Sequence, residues 1–200
     1  MSETEIREPI QKRSIETKEK IIDVGFDLIC SDGYHKTNTS KIAKKAGIST
    51  GIIYQYFKDK RDIFLAGLDK YANDIFYPML NMPNINFNKK DLPNIIKNMI
   101  SRYISNHKLS AIAHEEITSM THSDKDIASF FHQKEMEMTN KISNILVENH
   151  FKIDNLNEKV HIVIGLIDNL CHEIVYHRHK KLDYDAMTDI VVNEVVSILK

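Results

Sequence analysis

Apolar residues return every three to four positions through most of this 200-residue chain, and no stretch sustains a two-residue alternation with turn punctuation. That pattern predicts helices and gives no support to strands, so the expected fold class is all-α. The first helix is expected from about Ser14 to Ser31, with Ile22, Phe26 and Ile29 on one stripe and Ile21, Gly25 and Leu28 beside it. It should stop at Ser31-Asp32-Gly33, where glycine can take the left-handed conformation after a helix end. Thr39 is the expected cap of a short helix ending at Gly47, Ser49 of the next, and Asp59 of a longer one from Lys60 to about Tyr77. Residues 78–94 hold three of the four prolines and five asparagines and read as a linker.

Further amphipathic segments follow at about 94–107, 109–121, 124–149, 157–179 and 184–199. Residues 160–176 are apolar over most of the helix circumference, so this helix must be covered on more than one side. The last helix adds a stripe of Met187, Ile190, Val191, Val195, Ile198 and Leu199. Two such helices carry more apolar surface than a small bundle needs. A second copy of the chain, docked through about 157–179 and 184–199, is the expected partner.

Composition bounds the rest. With 42% hydrophobic and 28% charged residues the chain reads as an ordinary globular protein. No apolar run reaches the roughly 18 residues of a membrane span, and the charged N-terminus lacks a signal-peptide stretch. The expected compartment is the cytoplasm, away from any membrane. Cys30 and Cys171 each sit alone in apolar patterns and read as core residues. The net charge of −1 argues against a global polycation. Charge is segregated, however: residues 36–60 hold six lysines against one acid, Asp59, a local +5 that leaves −6 for the remainder.

Inside that basic segment, residues 39–57 have the layout of a helix, a tight turn and a second helix. On a helical wheel with Thr50 at zero, Ile53, Tyr56 and Phe57 fall between about 240° and 340°. Thr50, Gly51, Tyr54, Gln55 and Lys58 fall between zero and about 140°. The first group is the expected core face. The second is a face of hydroxyls, an amide, a lysine and bare backbone, suited to phosphates and base edges in a DNA major groove. Packing of both tyrosines on neighbouring helices is the plainer reading, and Tyr56 fits it as well as it fits DNA.

The run NTSKIAKKAGISTGIIYQYFKDKRDIF, residues 38–64, closely resembles the N-terminal domain of the tetracycline-repressor-like (TetR) transcriptional regulators. Thr39, Ile42-Ala43, Ala46-Gly47, Ile48-Ser49, Gly51, Ile53-Tyr54, Tyr56-Phe57, Lys60 and Phe64 carry the likeness. It implies a flexible arm (1–13), a helix-turn-helix head (14–65) and an effector-binding, dimerising body (66–200). By the same resemblance, Thr39 and Ser40 meet phosphate or groove edge, and Thr50, Gly51 and Ile52 approach bases. Tyr54, Gln55, Tyr56 and Lys60 mostly hold the DNA backbone, with Lys58 flanking. Two positions depart from the pattern: Thr50 stands where the family often has lysine, and Ile52 where it often has threonine. Arg7, Lys12 and Arg13 of the arm could add contacts or simply be solvated.

Nine of the ten histidines lie beyond residue 100, but their spacing supports no metal site, and no catalytic set converges. No cofactor is expected. Tyr103, His107, Met120, Phe130, Phe131, Met136 and Met138 could line an adaptable apolar pocket, or be core residues at helical spacing. Asp168 and Asn169 interrupt a greasy helix, and His161, Asp168 and His172 share one face of it, as a structural hydrogen bond or as ligand contacts. The resemblance implies an inducer pocket here and hence a ligand-responsive, homodimeric repressor on a palindromic operator. Two alternatives stay open: an all-helical enzyme using His, Asp and Glu of the body, and an effector-free scaffold.

Overall fold

The computed structural model describes the backbone of residues 12–80, 87–106 and 109–200, and side chains over 12–73, 87–105 and 109–200. Among them run nine helices: α1 Lys12–Asp32, α2 Thr39–Ala46, α3 Thr50–Tyr56, α4 Lys60–Leu80, α5 Leu92–Asn106, α6 Ala111–Ser123, α7 Lys125–Glu148, α8 Leu156–Tyr176 and α9 Tyr184–Ile198. The all-α expectation holds. Arg7 and His107 lie outside the described residues. α1 begins at Lys12, taking up Lys12 and Arg13 of the expected arm. α4 runs on to Leu80, past the proline expected to end it, and α8 stops at Tyr176 rather than near 179.

The chain divides into two compact units, Met1–Asn73 with Lys108–Ala128, and Asp74–His107 with Ser129–Lys200. In the first, Ile21 and Leu28 of α1, Ile42 and Ala43 of α2, Ile53 of α3, and Phe57 and Ile63 form one buried cluster. Burying each of the larger aliphatic side chains contributes about 1.5–3 kcal/mol. α1 and α4 pack closely because two positions carry no side chain. A Cβ on Gly25 would lie 2.5 Å from Ile63 Cγ2, and one on Gly67 would lie 2.6 Å from Phe26 Cβ. Phe26 then meets the rings of Phe64 and Tyr71, with centroids 6.3 and 5.2 Å away.

α6 belongs to this same unit, beyond the 14–65 segment. Its lead-in is tied to α1 by the Ser110 N–H, which donates to Cys30 O at 2.9 Å.

In the second unit α5 turns Leu92, Ile96, Ile100 and Tyr103 inward, against α8 and α9. Val160, Val163, Leu170 and Cys171 of α8 are buried there with Val192, Val195 and Leu199. Both cysteines are buried, as a core reading expects, and burial pushes the Cys171 thiol up to about 12. Asp183 caps α9 by accepting from the Asp185 and Ala186 N–H groups at 3.0 and 3.1 Å. Among the described residues no helix is long and apolar enough to cross a membrane.

The α1–α4 contact yields a stability prediction. Gly67→Ala drives a methyl into the Phe26 ring and should destabilise the chain by about 1–3 kcal/mol, although alanine is the better helix former. Urea unfolding followed by circular dichroism measures this, and a stabilised variant would contradict the packing described.

Candidate nucleic-acid interface

α2 is a one-sided helix: Ile42, Ala43 and Ala46 are buried, while Lys41, Lys44 and Lys45 are exposed. Its cap is Asn38 rather than Thr39. The Asn38 carboxamide oxygen accepts from Lys41 N–H at 2.9 Å, and Thr39 becomes the first helical residue. The sequence TNTS offers neighbouring candidates for one cap, and asparagine outranks threonine there. Gly47 then turns the chain at φ 68°, and Ile48 N–H closes the turn on Ala43 O at 3.0 Å. Ser49 precedes α3 in extended conformation, with no hydrogen bond from its side chain to the helix end.

α3 has only seven residues. Ile53 and, at its C-cap, Phe57 are buried at 0% and 4% exposure, with Tyr56 half-buried beside them. Thr50, Gly51, Tyr54, Gln55 and Lys58 are exposed. The two faces therefore fall where the helical wheel puts them. Tyr54 OH lies 3.1 Å from Thr39 Oγ1, joining α3 to the start of α2. Gly51 has an ordinary φ, and a Cβ there would meet only Ser49 Oγ, at 3.8 Å. Nothing within the described chain calls for glycine at that position. Ser40, Lys36, Lys41, Lys44, Lys45 and Lys58 surround the face and are exposed.

Three expected contact residues are placed differently. Ile52 is half-buried and packs on the core cluster, so it is not a free member of the reading face. Tyr56 sits at the same core edge. Lys60 donates to Tyr34 O at 2.7 Å, and its ammonium lies 3.9 Å above the Tyr34 ring. Burial lowers its pKa, with the Glu116 and Asp59 carboxylates opposing. Lys60 belongs to the turn after α1, not to the exposed face of α3.

That turn is also where α6 attaches. Glu116 accepts from His35 N–H at 3.2 Å, over Gly33, where a Cβ would lie 2.8 Å from its carboxylate. At the other end of α6, Arg61 forks onto Asp124 at 2.6 and 3.1 Å and onto Asp126 at 2.9 Å. The guanidinium bond holds the Asp124 carboxyl below the usual range. Sequence reasoning passed over these pairs because their members lie 63 to 81 residues apart.

Of the expected pocket residues, three come together in the second unit. Tyr103 is buried and donates to Asp168 Oδ1 at 2.6 Å, and His172 Nδ1 lies 3.1 Å from Asp168 Oδ2. Tyr176, which sequence reasoning passed over, stacks on the His172 ring at 6.0 Å. It stands four residues beyond His172, one helical turn, which is the signal that could have found it. Phe130 and Phe131 meet edge to face at 5.6 Å on α7, and Met138 is half-buried further along that helix. Met120 is half-buried on α6, in the first unit. Burial opposes a charge on His172, yet the hydrogen bond and negative charge of Asp168 raise its pKa.

Known proteins resemble this chain in two ways. The family described as "Bacterial regulatory proteins, tetR family" matches residues 21–66. A fatty acid metabolism regulator protein from Bacillus subtilis (strain 168) is 49% identical over 47 residues, 24% of either chain. The match thus spans about a quarter of the length of the first curated relatives. Solved structures extend the likeness in fold to nearly the whole chain. A tetR-family chain from Mesorhizobium loti MAFF303099 superposes with a TM-score of 0.74 at 18% identity, covering 94% of this chain and 98% of that one. A chain from Saccharomonospora viridis solved in complex with choline gives 0.69 at 17% identity, covering 92% and 96%.

The His172–Asp168 pair is open to direct titration. Its proton NMR midpoint should lie above the roughly 6.5 of an unconstrained histidine, and Asp168→Asn should bring it down. Because the folded value is raised, the pair's contribution to stability is full below the unfolded pKa. It is lost as pH rises through the folded one. A midpoint at or below the unconstrained value would contradict the pairing.

Proposed function

Since this chain belongs to the tetR family of bacterial regulatory proteins, we propose that it is a homodimeric, ligand-responsive transcriptional repressor. It binds a palindromic DNA operator in the cytoplasm through α2 and α3 and is released by a small-molecule effector. The observation that carries the reading is the division of α3. Its apolar side is fully used inside the unit, while Thr50, Gly51, Tyr54 and Gln55 are left outward among exposed lysines. A glycine early in a helix costs about 0.5–1 kcal/mol against alanine. Here the fold has no use for the missing side chain, whereas a phosphate backbone or base edge approaching α3 does.

In this reading Ser40 meets phosphate, Thr50, Gly51 and Gln55 approach bases, Thr39 and Tyr54 border that face, and the surrounding lysines supply counterion release. Ile52, Tyr56 and Lys60 act mainly from behind, by packing and by holding the turn after α1. Dimerisation through α8 and α9 is supported by Ile162 and Ile190, each about three-fifths exposed. Gly165 supports it as well: it is exposed in mid-helix, and a Cβ there would meet nothing within 4 Å. Two heads so joined would sit about one helical turn apart on DNA.

The effector's place is the second unit, where Tyr103 and His172 meet Asp168 and Tyr176 stacks on His172. The solved relative holding choline lends support to a ligand within this fold. An effector must bind one arrangement of the chain better than the other to shift the population.

Gly51→Ala separates binding from folding. Alanine should raise thermal stability by about 0.5–1 kcal/mol. It should also weaken binding to a duplex selected by the wild-type chain, with mobility shifts across a salt series as the readout. Unchanged affinity would show that nothing approaches Gly51, and a wild-type chain that retains no duplex would overturn the DNA reading.

A further inference from the structure

We propose that Tyr54 is a positioning residue: its hydroxyl, bonded to Thr39, struts α3 against the start of α2 and sets the angle at which the exposed face meets DNA. This deepens the DNA-binding reading and rests on it. A seven-residue helix is too short to hold itself in water and takes its orientation from what it touches. Ile53 and Phe57, with Ile52 and Tyr56 half-buried beside them, anchor it over one arc of its circumference. Such an anchor fixes where the helix lies and leaves its outer side without a packing contact of its own.

Tyr54 follows Ile53 by about 100° of helix rotation and reaches the other way. Tyr54 stays 46% exposed, so burial alone does not account for its position. The 3.1 Å bond from its hydroxyl to Thr39 Oγ1 does.

The far end of the strut is firmly held. Thr37 is 2% exposed, and its hydroxyl donates to Gly33 O at 2.9 Å. Asn38 caps α2 through Lys41 N–H, which leaves Thr39 in a fixed first helical turn. A line of local constraints thus runs from the turn after α1, through the α2 cap, to the outer side of α3. Of the two hydroxyls, one proton is committed to the bond between them, so together they offer DNA fewer donors than two separate groups.

The experiment is a double-mutant cycle on the full chain: Tyr54→Phe, Thr39→Val and both together, against a duplex selected by the wild type. Each single variant should weaken binding about three- to tenfold, as expected for one hydrogen bond. The double variant should be no weaker than either single one, and Thr39→Ser should restore wild-type affinity. Discrimination between the selected duplex and its single-base variants should be unchanged, because the strut touches no base. Without DNA, amide hydrogen exchange in α3 should quicken in Tyr54→Phe while the exchange of α1 stays as it was. Losses that multiply in the double variant would make the hydroxyls independent DNA contacts, and unchanged α3 exchange would remove the strut; either overturns the inference. A wild-type chain that retains no duplex sinks the DNA reading instead, and the exchange arm still reads the strut.

Discussion

The seating of Ile53 and Phe57 among Ile21, Leu28, Ile42, Ala43 and Ile63 is the contact on which the interface depends. A helix as short as α3 does not persist in water by its own hydrogen bonds. It exists because an apolar edge is covered by α1, α2 and the start of α4. That coverage in turn determines which residues are left outside. Once Ile53 is fully buried, Thr50, Gly51, Tyr54 and Gln55 face outward by helical geometry alone. Lys36, Lys41, Lys44, Lys45 and Lys58 are exposed around that face.

The second theme is the use of charge inside the first unit. Lys60 spends its ammonium on Tyr34, and Glu116 spends its carboxylate on the turn after α1. Arg61 is forked onto Asp124 and Asp126 at the α6–α7 corner. Exposed ion pairs contribute little to stability, and bidentate ones contribute more through the geometry they impose. Their consequence is organisational: α6, distant in sequence, is a structural part of the head. In the second unit the polar residues gather instead around Asp168, with Tyr103 and His172 each satisfying one carboxylate oxygen. The Asp168 side chain is itself 46% exposed, so these bonds fix its orientation more than they offset burial.

What could be read from residues alone follows a physical line. The helices, the Gly33 and Gly47 turns and the two faces of α3 are consequences of local periodicity and backbone preference, and they were legible. So was the likeness to the tetR family over residues 21–66, because its signature is a contiguous run. The cap of α2 was displaced by one residue, since adjacent Asn38 and Thr39 compete for one role. Lys60 counted toward the local +5, but its partner Tyr34 lies on another element, so its engagement was invisible. Ile52 was read from the family's pattern and not from the wheel, and the core holds it half-buried. The expected pocket divided for the same reason. Tyr103 and Asp168 meet across 65 residues, a pairing that no helical period encodes.

The central claim is that the outward face of α2 and α3 is where DNA binds. Hydrogen exchange across the whole chain, with and without a selected duplex, tests it most directly. The account predicts that slowed exchange concentrates in residues 38–58, strongest around Thr39 and Thr50–Gln55. Protection concentrated in α5, α8 or α9, with residues 38–58 exchanging as before, would contradict it.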